Sequence, residues 1–442
     1  MYSFFSIKWV YLTAISIFEL GSLVCGAAPN SNALIIGRAV AGLGSAGVFS
    51  GVLIIIAFTV PLQQRPMYSG IVGAVYGIAS VAGPLLGGVF TDKATWRWCF
   101  YINLPIGAIT IVVITLFFVA PGRAATSLSW SERLNRLDLL GTAFFMPAII
   151  CLLLALQWGG SKYEWSNGRI IALFVIFGLF LIVFLIIQVY KGDNATVPPR
   201  IIKQRTVAAS CGFAFCLGSS FFIMIYYLPI WFQAVQSVSA VQSGIRNLPV
   251  ILGLVLVSLV AGVGVSTLGY YTPWMIASSV VMPVGYGLIT TFTPDTGSSA
   301  WIGYQAIAGI GIGLGMQQPL MAVQTVLNIK DVPTGTALLI FIQTLGGALF
   351  VSVSQNVFTN KLTNLLAQNV PDLDPNIVLS AGATSLQSSV PREFLQGVII
   401  SYNDALVRVF IVATVMAALS LIGSLLTEWK SVKGKKVEMA VA

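Results

Sequence analysis

The chain has 442 residues, of which 57% are hydrophobic and 8% are charged, and its mean hydropathy is +0.90. Soluble domains carry about 25% charged residues, so this composition excludes a soluble fold. It predicts an integral multi-pass membrane protein that is embedded in a lipid bilayer. The net charge of +9 comes from basic residues in short segments between apolar runs, which argues against nucleic acid as a partner.

We predict an all-α polytopic fold with twelve spanning helices, because twelve apolar runs reach the roughly 20 residues that cross a bilayer. The runs are 8–28, 32–61, 67–91, 99–120, 138–158, 169–190, 207–233, 243–265, 270–292, 300–320, 333–357 and 403–426. The longest connection, 358–402, is polar.

Basic residues indicate the orientation of these spans. If Met1 is inside, 14 of the 23 lysines and arginines lie in inside segments, whereas six lie outside and three lie within spans. Cytoplasmic loops carry the excess of basic residues. We therefore expect both termini in the cytoplasm, a basic cytoplasmic tail over 431–442, and the 358–402 loop outside.

Cysteine and histidine usage limits the chemistry. The five cysteines all lie in apolar segments without zinc-site or disulfide spacing, and the chain has no histidine. A histidine-based catalytic triad and a histidine proton relay are therefore excluded. We predict that the protein is not an enzyme and uses no metal and no cofactor.

Two nine-residue segments resemble each other. Ile36–Gly44 matches Gly303–Gly311 at an offset of 267 positions, which aligns Arg38 with Gln305. The same offset aligns two prolines with each other, one at the start of the next span in each half. Chance similarity between glycine-rich spans is the alternative, but the shared proline favours a true repeat, as in transporters built from two six-helix halves.

The repeat predicts a plan of four, two and six helices. Three runs precede 300–320 in its half, but only one run precedes the matching 32–61. If the halves are equivalent, two helices are lacking before the first run. The predicted units are an incomplete N-terminal bundle at 1–120, two linker helices at 121–200, a C-terminal bundle at 201–430 and the tail at 431–442.

One span carries small residues at spacings of three and four. Such a face lets another backbone approach closely, and the proline within it bends the helix. The residues are Gly70, Gly73, Gly77, Gly83, Pro84, Gly87 and Gly88. Plain close packing is the alternative explanation.

The same residues are similar to a known family motif. Gly70, Ala79, Gly83-Pro84 and Gly87-Gly88 resemble the antiporter motif of the major facilitator superfamily, with Ala79 in place of one glycine. In that family the motif lies in the fifth helix and is associated with exporters. The resemblance therefore implies an exporter.

Other segments extend the resemblance over nearly the whole chain. Arg38 with Gly42 resembles the family's fourth-helix motif, whose arginine faces the central cavity and is implicated in proton coupling. Residues 91–107 resemble the external link and sixth helix of the fourteen-span drug:proton antiporter branch. Residues 311–319 resemble fungal multidrug and mycotoxin efflux members.

The resemblance implies two pseudo-repeat bundles with two extra linking helices, and 12 of the expected 14 spans. It implies proton antiport of hydrophobic small molecules (drugs, toxins or secondary metabolites) with alternating access, by a monomer in the plasma membrane. Two alternatives stay open. The chain is a truncated, transport-inactive member or an incomplete gene model, or it is a uniporter or importer of small solutes.

Charged residues inside spans are costly and indicate function. Glu19 is the carboxylate at mid-span depth, and it either carries protons or hydrogen-bonds to a neighbouring helix. Arg38 either has a role in transport through proton coupling, or it forms an interhelical salt bridge or binds backbone carbonyls. Asp92 and Arg97 of the external link are expected to pair with each other.

Polar and aromatic side chains in the C-terminal half are candidates for a substrate cavity or gate. The helices that carry these side chains line the cavity in the family. The candidate residues are Tyr226, Tyr227, Gln305, Gln317, Gln318 and Gln343. Trp231 lies near a span end, where aromatic residues are usually interfacial anchors.

Overall fold

The computed structural model describes residues 2, 5–119, 138–160 and 162–433. The side chains outside the description within these ranges are Val81, Pro84, Leu85, Asp92, Asn194, Gln387 and Ser388. The described part is helical, and its β-structure amounts to two isolated backbone bridges.

The helices follow the predicted order. The first third forms α1 (Ile7–Gly26), α2 (Ser31–Thr59), α3 (Arg65–Lys93), α4 (Trp98–Tyr101) and α5 (Asn103–Phe117), and the linker forms α6 (Leu139–Trp158) and α7 (Gly168–Lys191). The remainder forms α8 (Pro199–Ile202), α9 (Arg205–Ala234), α10 (Ala240–Arg246), α11 (Leu248–Leu268), α12 (Thr272–Ile289), α13 (Ser298–Gly315), α14 (Gln318–Val326), α15 (Val332–Asn369), α16 (Pro375–Ser380), α17 (Leu386–Ser389) and α18 (Arg392–Leu426).

Eleven helical segments in the described part are long and apolar enough to cross a membrane. The predicted span 67–91 is the 29-residue helix α3, which is long enough to be the twelfth. The all-α polytopic fold is therefore confirmed. Burial inside the protein differs among the spans, since 67% of the apolar window of α9 is buried but only 11% of that of α7. Lipid is the natural solvent for the exposed apolar surface of α7.

Several helix boundaries differ from the predicted runs. The run 243–265 is interrupted at Asn247, so that α11 begins only at Leu248 with a proline in its first turn. The run 300–320 breaks between Gly315 and Gln318, where Pro319 lacks the N–H that would continue α13. The helix over 333–357 continues to Asn369 and α18 begins at Arg392, so the connection between them narrows to 370–391.

The two ends of the bundle differ in charge. The basic end is the end at which α9, α12 and α15 begin, and its basic residues include Lys191, Arg200, Arg205 and Lys430. The loop end is the opposite end, which carries residues 370–391. At the basic end the guanidinium of Arg200 pairs with Asp331 through two hydrogen bonds of 2.8 and 3.0 Å.

Contacts between helices repeat in the two halves. Gly21 of α1 lies against the backbone of Ala41 in α2, and Gly285 of α12 lies against Ala308 in α13, which is the residue aligned with Ala41 by the offset of 267. Farther along the same helices, Gly44 meets Phe18 and Gly311 meets Met282. The same registers of close packing support a true repeat rather than chance similarity.

The matching prolines behave alike as well. Pro66 and Pro333 both occupy the first turn of a long helix, α3 and α15 respectively. Proline is favoured there because its missing N–H would have no partner inside the helix.

The linker helices pack on each other and on the C-terminal half. The ring of Phe145 in α6 lies 4.4 Å from that of Phe184 in α7 and 5.3 Å from that of Phe341 in α15. These aromatic contacts attach the linker pair to α15.

A buried carboxylate ties the linker together at the basic end. Asp138 is fully buried, caps α6 by accepting the N–H of Gly141, and accepts hydrogen bonds from Gln188 (2.7 Å), the Thr196 hydroxyl (2.8 Å) and Lys191 (2.9 Å). Burial alone would raise the pKa of Asp138, but the hydrogen bonds from Gln188, Lys191, Thr196 and Gly141 outweigh it and lower the pKa to about 2. The carboxylate therefore stays ionised at neutral pH.

Candidate functional site

The seam between the halves is formed by α3 and α11. A methyl group placed on Gly70 would lie 2.8 Å from the carbonyl oxygen of Ser258, and one placed on Gly77 would lie 2.6 Å from a methyl group of Val255. Real Cβ atoms do not approach other heavy atoms so closely. The glycines are therefore required for this contact, as the small-residue face predicted.

The later glycines of the same motif are packed less tightly. A methyl group placed on Gly83 would have no described atom within 4 Å, one placed on Gly87 would lie 4.0 Å from the sulfur of Cys99, and one placed on Gly88 would lie 3.4 Å from Val241. The side chain of Pro84 lies outside the described residues. Close contact across the seam is therefore concentrated in the half of α3 nearest the basic end.

One predicted glutamine reaches across the seam. A methyl group on Gly73 would lie 3.0 Å from the amide nitrogen of Gln317, so the amide lies directly on the glycine face of α3. Gln317 is the residue between the end of α13 and the start of α14. Non-helical backbone at membrane depth is tolerated where it is enclosed by protein or lines a cavity.

Three of the predicted glutamines gather at this helix break. Gln318 follows Gln317 and is buried, and Gln343 of α15 donates to the sulfur of Met316 at 3.8 Å. The backbone of Gln343 also packs against Gly218 of α9. The break thus brings amides from α14 and α15 beside the seam.

Two buried amide oxygens near the break have no described hydrogen-bond partner. They belong to Gln318 and Gln324, whose side chains are 1% and 3% exposed. A buried acceptor without a partner is unfavourable and usually has a structural or functional reason. Each of these amide oxygens therefore retains an unused acceptor position in the described part of the chain.

Gln305 lies apart from the other glutamines. Its side chain is completely buried and donates to the backbone carbonyl of Arg246 at 3.0 Å. It stands twelve residues before Gln317, a distance of roughly 18 Å along a helix. The guanidinium of Arg246 in turn contacts Gln236 and lies 5.8 Å above the rings of Phe232 and Trp301.

The two charged residues predicted in the N-terminal half have different surroundings. Arg38 is exposed and forms no ion pair with a carboxylate of the described part of the chain. Glu19 is half-buried, and its carboxylate packs against Gly107 of α5 with one oxygen that has no partner among the described residues. The structure does not bring Glu19 into an ion pair with Arg38.

The tyrosines of α9 lie nearer the loop end. Tyr226 is exposed, with its ring edge-on to that of Tyr227 at 5.0 Å. Tyr227 is buried and donates to the side-chain oxygen of Gln355 at 3.1 Å. The tyrosines and the glutamines of the helix break are therefore two separate groups.

The external link is held by backbone contacts. Arg97 donates to the carbonyl oxygen of Ala28 at 2.8 Å and lies 4.8 Å above the ring of Trp96. The side chain of Asp92 is outside the described residues, so its expected pairing with Arg97 stays a prediction.

Two polar residues were missed from sequence. Gln355 connects Tyr227 to Thr359, and Asn403 accepts a hydrogen bond from the indole of Trp231 at 2.8 Å. The interpretation of Trp231 as an interfacial anchor is wrong, since its side chain is fully buried. An amide inside an apolar run was the available signal for both, because each such amide needs a partner.

Both the sequence and the fold have known counterparts. The family model of the Major Facilitator Superfamily matches residues 2–351. The chain belongs to this superfamily. Membership confirms the resemblance and identifies an integral, multi-pass membrane transporter fold rather than an enzyme.

Relatives within the superfamily are fungal. The chain is 58% identical over 443 residues to the MFS-type efflux pump MFS1 of Arthroderma benhamiae, a match that covers 100% of the chain and 83% of that protein. It is 53% identical over 436 residues to the efflux pump aflT of Aspergillus parasiticus, covering 98% and 85%. It is 52% identical over 444 residues to the aspyridones efflux protein of Neocamarosporium betae, covering 100% and 79%.

Solved transporters share the fold at low sequence identity. A bacterial homologue of the human lysosomal transporter Spinster, in an inward-facing and unoccupied conformation, matches with a TM-score of 0.57 and 13% identity over 96% of this chain and 84% of that one. The human organic anion transporter MFSD10 matches with a TM-score of 0.55 and 12% identity over 92% and 77%.

Proposed function

We propose that the protein exports hydrophobic small molecules by proton antiport with alternating access. The observation that carries the proposal is the glycine face of α3, which meets α11 at the seam and places Gly73 against Gln317. Small residues allow two helices to touch without interlocking large side chains, so such a contact can open and close. The efflux pumps of Arthroderma benhamiae and Aspergillus parasiticus, at 58% and 53% identity, support the direction of transport.

The two bundles, 1–120 and 201–430, rock against each other in this proposal, with the linker helices of 121–200 moving alongside. The protein acts as a monomer in the plasma membrane. The basic end faces the cytoplasm, in agreement with Lys191, Arg200, Arg205 and Lys430 at that end and with the positive-inside rule. Both termini are then cytoplasmic, and residues 370–391 lie outside.

The helix break supplies the substrate contacts. Gln317 lies on the glycine face of α3, and Gln343 donates to the sulfur of Met316 at the break. Gln318 and Gln324 on α14 each have a buried amide oxygen without a partner among the described residues. Discontinuous helices near the midplane are typical of substrate sites in secondary transporters. Amides recognise hydroxyl and carbonyl groups without requiring charge, which suits a hydrophobic substrate.

Arg38 supplies the charge for coupling. An arginine side chain only donates hydrogen bonds, so in this proposal another group carries the transported proton. Arg38 provides a fixed positive charge that a proton-carrying group or a substrate meets in one conformation and not in the other. Its exposure and its freedom from ion pairs within the described chain are compatible with this role.

Transport in proteoliposomes tests the proposal. The purified chain is assayed with a panel of fluorescent hydrophobic dyes, with and without an imposed pH gradient. We expect the gradient to drive export. We also expect Arg38→Ala to lower gradient-driven transport by about tenfold, the effect of losing roughly 1.4 kcal/mol. Arg408→Ala is the matched control, because it removes another exposed arginine within a span, on α18.

Each alternative has its own outcome in this assay. Dye export that ignores the gradient rules out proton antiport, and dye movement only down its own gradient indicates a uniporter. Accumulation in the opposite direction indicates an importer. Absence of movement under every condition contradicts transport by this chain. Equal rates for Arg38→Ala and the wild type contradict the role of Arg38.

A further inference from the structure

A cavity of about 470 Å³ lies at the loop end of the C-terminal half. It is an open cavity lined by residues of α15, α16 and α18, and its lining residues differ from those of the helix break near the seam. Its volume falls within the range of about 300–1,000 Å³ that is usual for small-molecule sites. The residues that matter for its chemistry are Gln355, Phe358, Thr359, Asn376, Ser380 and Tyr402.

The lining combines neutral polar groups with aromatic rings. Among its described residues there is no aspartate, glutamate, lysine or arginine. The rings of Phe358 and Tyr402 stand edge-to-face with their centroids 5.0 Å apart. Both residues line the cavity, so an aromatic ligand in it would lie next to this pair.

Hydrogen bonds orient the polar groups of the wall. Gln355 accepts from Tyr227 at 3.1 Å and donates to the hydroxyl of Thr359 at 3.2 Å. This chain connects the cavity directly to the tyrosines of α9, where Tyr226 is exposed. The cavity therefore adjoins the region that the proposed transport path would cross at its outer end.

The wall formed by residues 370–391 is attached to the bundle. Asp374 caps α16 by accepting hydrogen bonds from the backbone and side chain of Asn376 at 2.9 and 3.0 Å. Val378, Leu386 and Val390 are almost completely buried and belong to the main hydrophobic core. The cavity is thus bounded by packed structure on the side of the connecting segment.

We propose that this cavity is a second substrate site, used by an uncharged aromatic molecule with hydroxyl or carbonyl groups before its release. The absence of charged groups from the described lining disfavours ions. The amide and hydroxyl groups satisfy the polar substituents, and Phe358 and Tyr402 contact the ring. The inference rests on the proposed function, in which the loop end faces outside.

Equilibrium binding of Nile red, an uncharged aromatic dye with a carbonyl group, tests the site. The protein is held in phosphatidylcholine nanodiscs without a pH gradient, and empty nanodiscs supply the background. We expect saturable binding that Thr359→Val weakens by about fivefold, the effect of one lost neutral hydrogen bond. Ala381→Trp, which places an indole in the cavity, is expected to abolish this binding.

Thr363→Val is the matched control. Thr363 lies one turn farther along α15, its hydroxyl donates to the carbonyl of Thr359 at 2.9 Å, and it does not line the cavity. Its variant should bind Nile red like the wild type. Rhodamine 6G, an aromatic cation, should be insensitive to Thr359→Val and Ala381→Trp.

The proposal is overturned if Thr359→Val and Ala381→Trp both bind Nile red with the affinity of the wild type. It is also overturned if the two substitutions weaken binding of rhodamine 6G as much as they weaken binding of Nile red. Loss of a co-purified lipid from Ala381→Trp with unchanged Nile red binding would assign the cavity to an acyl chain and also overturns it. Matching melting temperatures of the variants establish that each is folded. The binding assay uses no pH gradient and is therefore independent of transport. If the transport assay fails but the wild type binds Nile red and the variants bind it less well, only the proposed function is contradicted.

Discussion

Helices α2 and α13 occupy equivalent places in the two halves, but the aligned polar residue has different surroundings in each helix. Both are packed by small residues in the same register, through Ala41 in one half and Ala308 in the other. Arg38 of α2 is nevertheless exposed, whereas the aligned Gln305 of α13 is completely buried and hydrogen-bonded.

The comparison separates two kinds of constraint on a repeated helix. Close backbone packing depends on the absence of side-chain atoms, so it requires small residues at the same positions in both halves. A polar position depends on its partners. A buried amide is costly unless it is hydrogen-bonded, as the amide nitrogen of Gln305 is, whereas an exposed guanidinium is available for other interactions. The two helices therefore share their close packing but differ in the surroundings of the aligned polar residue.

The largest expected effect concerns the shared packing. Gly44→Leu and Gly311→Leu would each force a side chain into the backbone of the preceding helix, at Phe18 and Met282 respectively. We expect each to lower the free energy of unfolding by more than about 3 kcal/mol. Thermal unfolding of the purified variants in detergent measures the effect.

Neighbouring glycines supply the controls for this prediction. A methyl group placed on Gly42 or on Gly303 would have no described atom within 4 Å. Leucine at either position should change the melting temperature little. If Gly42→Leu destabilises as much as Gly44→Leu, the shared contacts do not explain the retained glycines.

We expect an effect of intermediate size from the buried carboxylate of Asp138, which contrasts with the exposed charge of Arg38. Asp138 has a pKa of about 2, below the usual value near 4, so its carboxylate stabilises the folded protein fully above about pH 4. This stabilisation, about 2–3 kcal/mol, is lost as the pH falls from about 4 towards 2. The free energy of unfolding of the wild type and of Asp138→Asn is measured between pH 2 and 8. The difference between the two proteins at each pH gives the contribution of the Asp138 carboxylate.

Asp193→Asn is the control for the buried carboxylate. The side chain of Asp193 is 74% exposed and pairs with Arg200 at 3.2 Å, and exposed pairs contribute little. Its variant should unfold with the pH profile of the wild type. A wild-type profile for Asp138→Asn would show that the hydrogen-bond donors around Asp138 do not stabilise its ionised form.

The smallest effect compares Arg38 and Gln305 directly. Gln305→Ala removes the hydrogen bond to the Arg246 carbonyl and leaves a small void, so we expect a loss of about 1–2 kcal/mol in unfolding free energy. Arg38→Ala should cost less than about 0.5 kcal/mol, because the side chain is exposed and unpaired with described carboxylates. The opposite order in chemical unfolding would contradict the comparison.

Much of the fold could be predicted because hydropathy and helix packing are local properties of the sequence. The twelve runs correspond to long helices, and the spacing of Gly70, Gly73 and Gly77 predicted a close helix contact. The breaks at Asn247 and Gln317 were missed, since a proline after an apolar run marks a helix start as readily as a kink. Trp231 was misinterpreted because a buried tryptophan and an interfacial one occupy similar positions along a span.

Residue type and spacing alone predict that this protein spans a membrane, that its halves are related, and which superfamily motifs it carries. Which polar residues meet is visible only in the folded protein. The tertiary structure placed Gln317 on Gly73, separated Gln305 from the other glutamines, and joined Gln355 to Tyr402 around one cavity. Those contacts depend on how distant helices are arranged in space, and no periodicity within one helix contains that information.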